Sequence, residues 1–176
     1  MDTLKRAVTT IPDFPRIGVQ FRDITSLLED PLAFALACEQ LAEPFADAAI
    51  DKVVAIEARG FAFGGAVALS LGAGMVMARK PGKLPREVIS QTYQLEYGQD
   101  SLNIHADAVQ PGERVLIVDD LIATGGTVLA AADLLARLGA KTVAAAFVIS
   151  LPGLGGVAEL QARQIQVHNL LEYEGE

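Results

Sequence analysis

The densest chemistry in the chain lies in Val115-Leu-Ile-Val-Asp119-Asp120-Leu-Ile-Ala123-Thr124-Gly125-Gly126-Thr127. An apolar run of strand type ends in two adjacent acids, passes through a turn of small residues and opens a helix. Backbone N–H groups of Thr124 to Thr127 are then the unpaired donors of a helix N-terminus, at the positive end of its dipole. Gly125 and Gly126 let a phosphate approach that backbone closely, and the hydroxyls of Thr124 and Thr127 can add hydrogen bonds. Asp119 and Asp120 would repel the phosphate unless something lay between. Ribose hydroxyls fill that role, because they donate to carboxylates while the sugar carries the phosphate. The segment reads as a cradle for a 5-phosphoribose group. The plainer alternative is an acidic strand end before a Thr-capped helix. No Lys follows the glycines, which excludes a Walker A loop, and no G-x-G-x-x-G is present.

Such a cradle needs a sheet to carry it. Lys52 to Glu57, Gly74 to Ala78, Arg114 to Val118, Thr142 to Ile149 and Ile165 to Leu170 read as strands. Pro31 to Ala49 (broken or kinked at Pro44), Phe61 to Leu71, Thr127 to Leu138 and Gly156 to Ala162 read as helices. Gln91 to Glu96 and Ser101 to Ile104 form a hairpin around Tyr97-Gly98-Gln99-Asp100. Strands alternating with helices predict an α/β fold with a parallel central sheet flanked by helices. Ligands in such sheets bind beyond the carboxyl ends of the strands.

Composition bounds the function. With 176 residues the chain is one domain's worth. Its net charge of −8 makes it a poor general binder of nucleic acid or anionic membrane. The single cysteine, Cys38, allows no intrachain disulfide and fits a reducing, cytoplasmic setting. Gly60 to Ala78 carries no charge, but five of its residues are glycine, so it reads as a buried helix and strand rather than a membrane span. Met1 to Arg6 lacks an apolar core and is not expected to be a signal peptide. His105 and His168 are isolated, which argues against a zinc site.

The cradle resembles the phosphoribosyl-diphosphate motif of the type I phosphoribosyltransferases. Ile11 to Pro15, Gly18-Val-Gln-Phe-Arg-Asp-Ile24, Glu57-Ala-Arg-Gly-Phe61, Arg79-Lys-Pro-Gly-Lys-Leu-Pro85 and Leu95-Glu-Tyr-Gly98 extend the resemblance to the adenine-specific group of that family. It covers about Ile11 to Ile149. The resemblance implies transfer of phosphoribose from its 1-diphosphate (PRPP) to N9 of adenine, giving AMP and pyrophosphate in purine salvage, with Mg²⁺, in a cytoplasmic homodimer. It implies that Asp119, Asp120, Ala123, Thr124, Gly125, Gly126 and Thr127 bind the phosphoribose, with Asp119 and Asp120 also candidate Mg²⁺ ligands. Glu57, Ala58, Arg59, Arg79, Lys80 and Lys83 fall to the pyrophosphate. Residues 79–98 become a flexible lid, from which one of Arg79, Lys80 and Lys83 can serve a neighbouring subunit. Residues 1–30 contribute a small hood, in which Gln20, Phe21 and Arg22 face the base. Leu121 is a candidate opposite wall, although Phe21 and Leu121 also read as ordinary core contacts. Glu96, near the base, and Arg59 are the catalytic candidates. The backbone at Glu57-Ala58 is expected to be unusual, with a non-proline cis bond as one form of it. Two alternatives share the cradle: a phosphoribosyltransferase for another purine, and a PRPP-binding regulator without catalysis.

Overall fold

The computed structural model describes residues 2–94 and 98–174. The chain opens with α1 (Asp2–Ala7), then an antiparallel hairpin of β1 (Thr9–Pro12) and β2 (Gln20–Asp23), in which Ile11 faces Phe21. After α2 (Thr25–Glu29), α3 (Pro31–Ala42) starts where Asp30 caps the N–H groups of Leu32 and Ala33. The sequence predicts this helix to run to Ala49, with a break or kink at Pro44. It stops at Ala42, and Pro44 sits in a single 3-10 turn instead, because proline removes a helix hydrogen bond and clashes with the preceding turn.

Five strands then build the core sheet: β3 (Lys52–Ile56), β4 (Gly74–Ala78), β7 (Arg114–Ile122), β8 (Lys141–Ser150) and β9 (Gln166–Glu172). Their order is β4-β3-β7-β8-β9, and every pairing is parallel. The helices α4 (Gly60–Leu71), α5 (Gly126–Arg137) and α6 (Gly156–Ala162) are the crossovers, and β5 (Val88–Gln94) with β6 (Gln99–His105) forms a separate antiparallel hairpin. One sheet face is covered by Leu27, Leu41, Phe63 and Val67 from α2, α3 and α4. The other is covered by Leu134 and Leu135 of α5, Leu102 and Ile104 of β6 and Leu160 of α6. Helix α4 lies so close to β3 that a Cβ on Gly64 would stand 2.4 Å from that of Ala55. The uncharged stretch 60–78 is thus a helix and a strand, and among the described residues no helix is long and apolar enough to cross a membrane.

The strand order has a functional consequence. From β3 the chain winds outward to β4, whereas from β7 it winds the opposite way to β8 and β9. The winding reverses between β3 and β7, and a crevice opens beyond the carboxyl ends of two strands that diverge in this way. The loops that follow β3 and β7 leave the sheet there. The strand predicted to end at Val118 continues to Ile122, with Asp119 opposite Phe147 and Leu121 opposite Ile149 on β8. Asp119 and Asp120 are therefore held by sheet pairing rather than by a loop.

Candidate active site

The loop between β7 and α5 has the geometry of an anion cradle. Gly125 has φ 84° and precedes α5, whose first turn receives no side-chain cap, so its N–H groups face outward. Gly156 closes the loop from behind. Its N–H donates to the Ala123 carbonyl at 3.0 Å, and a Cβ there would stand 2.4 Å from that oxygen and 2.6 Å from the Gly125 nitrogen. The two backbones touch directly, which fixes the loop's curvature. Residues 121–128 and Asp119 line a pocket of about 200 Å³.

A neighbouring cavity of about 370 Å³ shares Asp119, Leu121 and Thr127 with the first. Glu57, Ala58, Arg59, Lys80, Tyr93, Asp100 and Asp120 also line it. The Glu57–Ala58 peptide is cis, as the resemblance allowed. Gly60 then starts α4 against β7: a Cβ at this position would stand 2.7 Å from Asp119 Oδ1. The Arg59 guanidinium crosses the crevice and donates through Nε to Asp120 Oδ2 at 2.5 Å. Burial works against its charge, but the Asp120 carboxylate, with Asp119 and Asp23 behind it, more than offsets this and holds it protonated. Asp120 is 7% exposed, whereas half of the Arg59 side-chain surface is open. Burial, and then the Asp120 charge, push the Asp119 carboxyl well above the usual range, against the Asp120 N–H that donates to it at 2.9 Å.

The basic loop after β4 divides its cations. Lys80 lines the cavity, and its ammonium pairs with Asp100 Oδ2 at 3.0 Å, which raises the lysine and lowers the acid from their ordinary values. Glu57 Oε2 accepts from the Lys80 N–H at 2.8 Å and from Arg79 Nε at 3.2 Å. Arg79 lies over the Phe61 ring and donates to the Lys83 carbonyl, and the Lys83 side chain is exposed. Neither Arg79 nor Lys83 lines the cavity, unlike Lys80. On the hood, Gln20 is exposed, Phe21 meets Phe14 edge-on at 5.1 Å, and the Arg22 guanidinium turns to the Tyr173 ring. None of these three lines either cavity, whereas Leu121 lines both. Glu96 lies outside the described residues.

Tyr93 and Asp100 were not anticipated as site residues. Their signal was positional: they are cross-strand partners at the end of the hairpin, so the register that brings one to the cavity brings both. Among the described residues no group of three or more His, Cys, Asp or Glu side chains could hold a metal ion by itself. Cys38 is half-buried and its thiol is pushed up to about 11 by burial, which leaves it unreactive.

A phosphate cradle, two strand-borne acids and a cation-lined cavity at one winding reversal define a phosphoribosyl-transfer site. The chain belongs to the phosphoribosyl transferase family, whose domain model matches residues 24–162. Relatives in that family include the adenine phosphoribosyltransferase of Yersinia pseudotuberculosis, 54% identical over 98% of this chain and 92% of its own. The crystal structure of adenine phosphoribosyltransferase from Rhodothermus marinus superposes with a TM-score of 0.91 at 50% identity, covering 98% of this chain and 97% of that one. The Giardia lamblia enzyme complexed with 9-deazaadenine gives 0.92 at 33% identity, covering 99% and 98%.

Proposed function

We propose that this chain transfers 5-phosphoribose from PRPP to N9 of adenine, releasing AMP and pyrophosphate, as a single phosphoribosyltransferase unit of residues 1–176. The carrying observation is the convergence, beyond β3 and β7, of the α5 cradle, Asp119, Asp120 and Arg59. The backbone of residues 124–127 holds the 5-phosphate, with Ala123 completing the turn. Asp119 and Asp120 accept from the ribose hydroxyls. As the bond from C1 to the diphosphate stretches, positive charge grows on the sugar, and those acids stabilise it. Arg59 exchanges Asp120 for the pyrophosphate oxygens, which its planar fork suits. The Glu57-Ala58 backbone and Lys80 complete that subsite; Glu57 accepts from Arg79 behind it, and Arg79 in turn donates to the Lys83 carbonyl.

Mg²⁺ fits this donor set as a substrate-borne ion. Asp119 and Asp120 are adjacent carboxylates on this cavity, and Mg²⁺ is commonly held by one or two carboxylates plus phosphate oxygens and water. Bound there, it would offset the diphosphate's charge. The base lies between the hood backbone at Gln20 to Arg22, the Phe21 side and Leu121, and Glu96 manages the proton near the imidazole nitrogens. Residues 79–98 close as a lid and exclude water. The molecule works as a cytoplasmic homodimer.

The test is turnover of PRPP and Mg²⁺ with adenine, hypoxanthine, guanine, xanthine, uracil and orotate in parallel. Adenine is expected to dominate. Comparable use of hypoxanthine would point to another purine specificity, and PRPP binding without turnover of any base would point to a regulator.

A further inference from the structure

The hood is tied to the sheet at a place the reaction does not explain. Arg22 sits on β2 opposite Thr10, and its Nη1 donates to the Thr10 hydroxyl at 2.5 Å. Its guanidinium carbon lies 4.3 Å from the centre of the Tyr173 ring. Lys5 of α1 brings its ammonium to 5.5 Å from the same centre. Two cations from separate N-terminal elements thus converge on one aromatic side chain just past the last strand. Tyr173 is firmly placed: it is 9% exposed, and its N–H donates to the Ser150 carbonyl at 3.1 Å, continuing the pairing of Ser150 with Glu172.

The contact is made by the ring face, not by the hydroxyl. Tyr173 Oη and Arg22 Nε are both buried without a hydrogen-bond partner among the described residues. Burial raises the phenol above its ordinary value, against the pull of Arg22, so the ring meets the cations in its neutral form. A guanidinium over an aromatic face is well held when water is excluded. Burying Arg22 Nε without a hydrogen bond carries a desolvation cost, which the ring contact must offset.

We propose that Tyr173 is a positioning residue for base binding. Its ring clamps Arg22 and so sets the depth and register of β2 against the sheet edge that carries the phosphoribose cradle. This rests on the reading of β2 as the base-facing strand. The adenine edge would then be aligned with the cradle by a residue that touches neither substrate.

Steady-state kinetics and amide hydrogen exchange on the full chain test this. Tyr173→Leu is expected to raise KM for adenine about tenfold, within the range a desolvated cation–π contact supplies. KM for PRPP should stay within about twofold. Tyr173→Phe should behave as the parent, because it keeps the ring. In the parent, adenine should slow exchange in β2. In Tyr173→Leu that protection should be lost, while PRPP protection of residues 124–127 persists. An unchanged adenine KM in a folded Tyr173→Leu protein overturns the proposal, as does an equal rise in both KM values. A loss in Tyr173→Phe matching that in Tyr173→Leu overturns the ring-face basis. Absence of adenine protection at β2 in the parent removes β2 from the base site, and the clamp with it. Protection at β2 that survives in Tyr173→Leu leaves the base reading standing and removes the clamp alone.

Discussion

Asp119 stands where binding and stability pull in opposite directions. Its carboxyl is raised by burial and by Asp120, so between the ordinary carboxylate range and that raised value the native state holds a proton that the unfolded chain has released. Stability therefore falls as pH climbs from the ordinary carboxylate range through the raised value. Asp119→Asn keeps an acceptor for the Asp120 N–H and removes the charge. It should melt higher than the parent at neutral pH, by on the order of 1 kcal/mol or about 2–4 °C in Tm. The difference should shrink as pH falls below about 4, where the carboxyl is protonated in both states. Turnover should move the other way, with kcat/KM lower by on the order of 2–3 kcal/mol, about 30–150-fold. Melting curves at several pH values and kinetics on one preparation check both. A variant as stable as the parent at all pH values would show that the carboxyl is not strained. Glu96→Gln is expected to lower kcat with little change in the adenine-to-hypoxanthine preference; a changed preference would separate Glu96 from the proton-transfer role.

At the scale of elements, the loop between β4 and β5 and the loop between β7 and α5 make opposite demands. The first holds Pro81, Gly82 and Pro85 and a run of cations, and its Lys83 is exposed. Arg86 is pinned instead, donating to Asp107 at 2.9 Å and resting 3.1 Å from His105 Nδ1. Trypsin should therefore cut after Lys83 before Arg86, and PRPP with Mg²⁺ should protect the bond. Equal cleavage with and without ligand would count against closure. The second loop must stay rigid. Gly156→Ala drives a Cβ into the Ala123 carbonyl and should raise KM for PRPP about tenfold or more. Gly153→Ala, which meets nothing within 4 Å, serves as the matched control. The central strands, α4, α5 and α6 were legible because their apolar runs and glycine stops are local signals. The end of β7 was misread because two acids look like a boundary, while the pairing that carries them onward comes from β8. The hood hairpin and α1 were missed as elements: β1 and β2 have four residues each, β1 is exposed throughout and β2 has no fully buried residue, so alternation has little burial to follow. The cradle acids and glycines were legible from type and spacing. Tyr93 and Asp100 were not, because their place depends on hairpin register.

At the scale of the molecule, the two sheet edges differ. β9 is tied through Tyr173 to the N-terminal elements, whereas β4 ends the sheet on the other side with Met75 and Met77 38% and 40% exposed. Beside it on α4, a Cβ on Gly65 would stand 3.6 Å from the Met75 sulfur, and Leu69, one turn later on the same helix face, is 85% exposed. An apolar edge of this kind suits a second copy, in line with the proposed homodimer. Leu69→Glu should shift sedimentation toward the monomer while leaving the circular dichroism spectrum unchanged. A parent protein that sediments as a monomer at micromolar concentration would remove the dimer from the reading.

The meeting of Gly125 with Gly156 also sets how the protein can drift under mutation. The contact joins backbone to backbone, so no partner side chain exists that could shrink to admit a larger one. A change at either position has no suppressor at the other, although thirty-one positions separate them. In a randomised library selected for growth on adenine, the two glycines should stay fixed together, while Gly153, three positions before the second, varies freely.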